Sequence, residues 1–325
     1  MNYQYFPLIF LALLLSATPP LATAKRVNKA YGAFVPVELS YHTANVDGVE
    51  VFYREAGDKN APALILLHGF PTSSHMFRNL IPLLADKYHV IAPDYPGFGQ
   101  SAMPERDKFA YTFDNYAIVV DKLLQQLDIK NYAMYVMDYG APVGFRLAEA
   151  NPDKVTALIV QNGNAYVEGL GEFWDPVKAY WQTGGSTERE ALRWLTSAKA
   201  TKWQYTNGVK DASLVSPDTW IMDQALLDRP GNAEIQLDLF YDYRTNIPLY
   251  PQWQAYFREY VPPALVVWGE NDAIFIAAGA MPYQRDLPGA EIHLLDTGHF
   301  ALETHGAEIA SLIRKFLGRH LKPNR

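Results

Sequence analysis

The chain has 325 residues, 49% of them hydrophobic and 19% charged, a balance that lets a globular protein bury a large core. Its net charge of -7, with acidic and basic residues interspersed, lacks the basic patch that nucleic-acid binding needs. The sequence contains no cysteine, which excludes disulfides, thiolate chemistry and Cys-based metal sites.

Residues 1–24 read as a leader rather than as part of the fold. Phe6 to Leu15 form a short apolar stretch, Pro19-Pro20 interrupt it, and Ala22-Thr23-Ala24 precede Lys25. That pattern resembles a secretory signal with a small-residue cleavage site, although its first residues carry no Lys or Arg. The stretch is too short to span a bilayer as a mature helix, so no stable membrane insertion is expected. An exported protein, periplasmic or secreted, is the expectation, and the absence of cysteine fits an oxidising compartment.

The body of the chain opens with a hairpin pattern, Phe34 to Ala44 and Val49 to Glu55, around a turn at Asp47-Gly48. Ala63 to Leu67 and His89 to Ala92 are short unbroken apolar runs; the first ends in His68-Gly69-Phe70-Pro71, the second in Asp94-Tyr95-Pro96-Gly97-Phe98-Gly99-Gln100-Ser101. A helix is predicted from Asp114 to Leu127, with Ile118, Val119, Leu123, Leu124 and Leu127 forming its apolar positions. Strand-like segments follow at Asn131–Val136, Val155–Val160, Ala264–Trp268 and Ile292–Leu295, with helical patterns at Ala141–Glu149, near Ala277–Leu287 and over Glu303–Leu317. Unbroken apolar strands alternating with helices predict a mostly parallel sheet covered on both faces, with an antiparallel start.

Between residues 165 and 255 the alternation stops. This interval holds six of the seven tryptophans and several helical patterns but no clear buried strand. It reads as a helical insertion over the strand ends, where open α/β sheets bind ligands. Its aromatic residues suit an apolar pocket wall, although most of them serve to pack the insertion down.

The chemistry concentrates at Val136-Met137-Asp138-Tyr139-Gly140-Ala141. A strand passes directly into a helix there, a turn that lifts one side chain clear of the sheet. The raised residue is a carboxylate. Aspartate is a poor nucleophile toward carbonyls, but it can displace a leaving group from a saturated carbon and leave an ester for water to cleave. That second step needs an oriented base. Asp272, in Gly269-Glu270-Asn271-Asp272, and His299, in Gly298-His299-Phe300, both follow predicted strands, in the chain order nucleophile, acid, histidine. Gln161 and Asn162 occupy the end of the strand in between and supply no acid. The backbone N–H groups of Phe70 and Tyr139 are the candidate oxyanion hole by position, and Phe70-Pro71 is a candidate cis bond.

Together these residues resemble an α/β-hydrolase of the epoxide hydrolase and haloalkane dehalogenase branch. The resemblance covers nearly all of the chain after the leader. It implies an α/β-hydrolase fold with an eight-stranded, mostly parallel sheet, a core of residues 25–164 and 256–325, and a helical cap of residues 165–255 inserted after strand 6. It also implies a cofactor-free hydrolase with no metal, acting on a small apolar substrate; oligomeric state stays open. Val136, two residues before Asp138, departs from the smaller residue usual there.

Within that branch, haloalkane dehalogenases usually show Asn after His-Gly and Trp after the nucleophile; here Phe70 and Tyr139 stand there. Fluoroacetate-type dehalogenases carry Arg after the nucleophile and three residues further on, where this chain has Tyr139 and Pro142. Epoxide hydrolases share the His-Gly-Phe-Pro type of motif, and Tyr241-Asp242-Tyr243-Arg244 resembles their cap segment, which makes Tyr243 the implied proton donor. No second donor aligns, and Trp174 and Tyr180 are substitutes by neighbourhood. The resemblance therefore implies an epoxide hydrolase giving a vicinal diol. The alternatives are a haloalkane or haloacid dehalogenase, and a ligand-binding relative without turnover.

Overall fold

A computed structural model describes Met1 and residues 38–321; the leader and the first residues of the expected hairpin lie outside the described residues. Eight strands form one sheet: β1 (Leu39–Val46), β2 (Val49–Ala56), β3 (Ala63–Leu67), β4 (His89–Pro93), β5 (Tyr132–Met137), β6 (Val155–Gln161), β7 (Ala264–Gly269) and β8 (Glu291–Leu295), in the order β1-β2-β4-β3-β5-β6-β7-β8. β1 and β2 pair antiparallel, as do β2 and β4, while β3 to β8 run parallel. The mostly parallel eight-stranded sheet with an antiparallel start is as the sequence pattern implied.

The unbroken apolar runs have a direct physical cause. β3, β4, β5 and β7 are buried at every position, because helices cover both faces. One face carries Ile65, Leu67, Met134, Val136, Val160 and Trp268 into a core shared with α2 (Phe113–Gln126) and α3 (Gly140–Ala150). Alternate residues Leu64, Leu66, Tyr135, Met137, Ile159 and Val267 go to the other face, with the C-terminal helix (Ala301–His320). Thr112 caps α2, its side chain accepting from the Asn115 backbone N–H. The helical pattern near 277–287 resolves into a 3-10 turn at Ala277–Gly279 and a single turn of helix at Tyr283–Asp286, since Gly279 and Pro282 interrupt a longer helix.

Among the described residues no strand lies between β6 and β7. The regular elements of that stretch are all helical and include α4 (Asp175–Thr183), α5 (Ser186–Ala191), α6 (Ala198–Thr206), α7 (Pro217–Leu227), α8 (Asn232–Asp242) and α9 (Tyr250–Tyr260). α9 packs against α3, with Trp253 and Phe257 meeting Phe145. The register sets the site: Leu67 pairs with Val136, Met137 with Gln161, Gln161 with Val267 and Gly269 with Leu295. The carboxyl ends of β3 and β5 to β8 are therefore level, and the residues just beyond them converge.

Candidate active site

Asp138 is the first residue beyond β5 and has φ of 51°. The left-handed region costs a non-glycine residue about 1–2 kcal/mol, so the surroundings must hold it there. Two glycines do so by bringing backbones together. A Cβ on Gly140 would collide with the Leu67 carbonyl, and one on Gly144 would collide with the Val136 and Met134 side chains. The larger-than-usual Val136 is thus accommodated by the missing side chain one turn into α3. A Cβ on Gly69 would strike the Asp138 carboxylate itself.

The two carboxylate oxygens of Asp138 differ. Oδ1 accepts the backbone N–H of Phe70 at 2.7 Å and that of Tyr139 at 2.6 Å. Oδ2 takes neither bond and lies 3.7 Å from Nε2 of His299. The other ring nitrogen, Nδ1, is 2.7 Å from Oδ2 of Asp272. That carboxylate is held in turn: Oδ1 accepts the Ile274 N–H at 2.7 Å, and Oδ2 also accepts the Asn162 amide at 2.8 Å. The Asn162 side-chain oxygen accepts the Gly269 N–H at 3.0 Å. Asn162 itself has φ of 42°.

Asp138, Asp272 and His299 are all buried. Burial pushes the Asp138 carboxyl above its ordinary range, against the opposing pull of His299 and the two N–H donors. Burial alone pushes the His299 imidazole down, but the charge and hydrogen bond of Asp272, with the charge of Asp138, outweigh it and hold it above the ordinary value. Nε2 of His299 is buried and makes no hydrogen bond. A base so oriented, open on its reactive nitrogen, is arranged to activate water.

Two neighbouring motifs brace these loops. His68 is buried; its Nδ1–H donates to the Gly69 carbonyl at 3.0 Å, and its Nε2 accepts the Tyr95 N–H at 3.2 Å. Asp94 accepts the N–H groups of Ser74 and Gln100 at 2.7 and 2.8 Å. His68 thereby ties the loops after β3 and β4 together, and Asp94 holds the turn that follows its own strand.

A small cavity of about 30 Å³ opens beside Asp138, lined by Phe70, Tyr139, Phe173, Trp174, Val177, Leu195, Gln204, Phe240 and Ile274. Of the sequence candidates, Asp138, Asp272, His299, Phe70 and Tyr139 come together. The Trp174 ring lines the cavity, but its indole N–H donates to the Ile274 carbonyl at 2.7 Å. Tyr180 is turned elsewhere, with its hydroxyl accepting from Arg189 at 3.0 Å and its ring against Tyr241. Tyr243 is buried among Trp174, Trp181, Phe113 and Tyr139, outside the cavity wall. Its hydroxyl makes no hydrogen bond of regular geometry, although the Tyr250 phenol acts on it. Sequence reasoning missed Asn162 as a partner of Asp272, and it missed Gln204; nothing in the local sequence marks either.

Hydrolases of the α/β class carry nucleophile, acid and histidine in this chain order at the carboxyl edge of such a sheet. The chain belongs to the alpha/beta hydrolase fold family, whose model matches residues 62–306. It is 48% identical over 278 residues to an uncharacterized hydrolase of Saccharomyces cerevisiae, covering 84% of this chain and 95% of that one. It is 26% identical over 306 residues to a haloalkane dehalogenase of Psychrobacter cryohalolentis, covering 87% and 92%. Among solved structures, the epoxide hydrolase CorEH superposes with a TM-score of 0.71 at 21% identity, covering 87% of this chain and 99% of that one. The protein is a hydrolase of the alpha/beta hydrolase family, similar to haloalkane dehalogenases in sequence and to an epoxide hydrolase in fold.

Proposed function

We propose that this hydrolase works through an ester on Asp138 and opens an epoxide to a vicinal diol. The observation that carries the reading is the unequal pair of oxygens on Asp138. Oδ2, free of backbone donors, attacks the less hindered ring carbon; a C–O bond forms to carbon as the ring C–O bond breaks. Oδ1 becomes the ester carbonyl oxygen and already sits between the N–H groups of Phe70 and Tyr139. When His299 takes a proton from water and the water attacks the ester carbon, negative charge collects on an oxygen whose donors are in place. The tetrahedral intermediate then expels the diol oxygen, which receives the proton back from His299.

A halide leaving group is less well served. The indole N–H groups nearest the site are committed, Trp174 to Ile274 and Trp181 to the Phe240 carbonyl at 2.7 Å. The opened ring oxygen needs a proton, and this scheme assigns it to Tyr243. Burial keeps that phenol protonated well above the ordinary tyrosine range. The Tyr243 ring rests on Trp174 and Tyr139, so those rings must shift before the proton is delivered.

Replacing His299 with glutamine tests the scheme. His299→Gln is expected to accumulate protein whose Asp138 peptide is heavier by the whole mass of an epoxide such as styrene oxide. A diol-forming enzyme that never carries that mass would sink the ester mechanism. Release of halide from haloalkanes or haloacids, with no diol from any epoxide, would move the protein to the dehalogenases.

A further inference from the structure

The second donor absent from the sequence motifs has a candidate on α6. Gln204 is 3% exposed and shares the cavity wall with Asp138; the rest of that wall is aromatic or aliphatic apart from the Tyr139 hydroxyl. It also borders the small adjoining space lined by Asp272 and His299. Its amide nitrogen is enclosed and has no hydrogen-bond partner among the described residues. Leaving a buried amide donor unpaired is costly, and such a group calls for a ligand to satisfy it.

The helix that carries Gln204 is fastened to the catalytic loops. The next residue, Tyr205, stacks on Phe300 with ring centroids 3.9 Å apart and planes at 8°. The preceding residue, Trp203, stacks on Phe173 at 5.8 Å and 11°. Beyond the helix end, the Asn207 carbonyl fills the place a side chain on Gly298 would take, and Gly208 lies against Asn271 in the same way. The Gln204 amide is therefore held in register with the loops that deliver His299 and Asp272, independently of any substrate.

We propose that Gln204 is the hydrogen-bond donor of the helical insertion, its amide N–H holding the substrate oxygen that leaves carbon as Asp138 attacks. The inference rests on the aspartyl-ester reading. A neutral amide cannot give up its proton, so Gln204 steadies the developing alkoxide and the proton itself comes from elsewhere, in the scheme above from Tyr243. Glutamine suits the position because glutamate would set a negative charge against the negative oxygen.

The test uses the full chain in the His299→Gln background, where ester breakdown is blocked. The rate at which styrene oxide adds to the Asp138 peptide at pH 8 is followed by mass spectrometry, with Gln204 intact, as Gln204→Leu and as Gln204→Glu. Both substitutions are expected to slow addition by ~100–1,000-fold at saturating styrene oxide, the range for losing one donor to a developing oxyanion. A folded Gln204→Leu that adds substrate at the parent rate would overturn the inference. If the leucine variant does not fold, the near-isosteric glutamate variant decides in the same way. A purely structural role would lower the melting temperature and leave the saturated rate unchanged. Absence of any adduct in the parent defeats the ester reading itself, whereas an adduct insensitive to residue 204 defeats only this assignment.

Discussion

Asn162 has no reacting atom within its reach, yet its removal is expected to damage one chemical step selectively. Its side chain makes three buried hydrogen bonds, donating to Oδ2 of Asp272 at 2.8 Å and to the Gly269 carbonyl at 3.4 Å and accepting from the Gly269 N–H at 3.0 Å. A hydrogen bond to an ionised partner contributes about 1.5–3 kcal/mol, and an orphaned buried N–H costs about 1–3 kcal/mol. Asn162→Gly should therefore lose about 2.5–6 kcal/mol of stability, read from the urea midpoint. Asn162→Ala should lose about 1 kcal/mol more, because φ of 42° disfavours any residue with a Cβ. The difference between the two variants isolates backbone strain, and what they share isolates the amide. In quenched single turnovers, ester formation should proceed near the wild-type rate in both, since the donors to Asp138 are untouched. Ester breakdown should slow ~10–100-fold, equivalent to about 1.4–2.8 kcal/mol, as Asp272 loses its grip on the imidazole. An Asn162→Gly enzyme that is destabilised but cleaves its ester at full speed would refute a positioning role.

Two pH experiments follow from the same electrostatics. His299 is held above its ordinary pKa by Asp272, so Asp272→Asn should lower that pKa and carry the acid limb of ester breakdown to lower pH, with a rate reduced by ~10²–10⁴-fold; an acid limb that stays put would show that Asp272 does not govern the titration. Away from the site, burial pushes Asp223 up to about 7 although the Tyr205 hydroxyl donates to it. The folded state then binds a proton that the unfolded chain releases near its ordinary value of 3.8, so stability falls as pH rises between those two values and the penalty is complete above about 7. That window corresponds to about 4 kcal/mol. Asp223→Asn should flatten the slope of unfolding free energy between pH 5 and pH 8, and a slope equal to wild type would exclude Asp223 as its source.

How much of this was legible from residue order follows from the range of the forces involved. Burial on both sheet faces writes itself into β3, β5 and β7 as unbroken apolar runs, because every position meets a helix. Asp138, Asp272 and His299 were legible for a related reason: each follows a strand end, and parallel strands place their carboxyl ends on one edge. Asn162 also follows a strand end, but its role depends on β6 lying between β5 and β7. A rule that searches for acids passes over an amide that holds one. The helical insertion was legible as helical and aromatic, not as a wall. Whether the Trp174 indole faced Asp138 or the Ile274 carbonyl depended on a contact across 100 residues. Tyr180 was drawn away by Arg189, which also binds Glu234 and Asp238 in a cluster of charges that no local pattern announces.

The departure at Val136 shows how the elbow tolerates an unusual neighbour. A bulkier residue two positions before Asp138 presses on the helix that follows, and here its methyl group occupies the space above Gly144. The strained φ of Asp138 is thus sustained by close packing on two sides, Gly140 against the Leu67 carbonyl and Gly144 against Val136. Gly69 completes the arrangement by letting the loop after β3 pass close enough for the Phe70 N–H to reach Oδ1. Three missing side chains, on two different segments, fix one carboxylate so that one oxygen is held by two backbone N–H groups and the other is left free of them. That asymmetry belongs to the packing of the sheet edge and exists before any substrate arrives; on the proposed aspartyl-ester reading, the core sets the chemistry of Asp138 and the insertion above it sets the choice of leaving group.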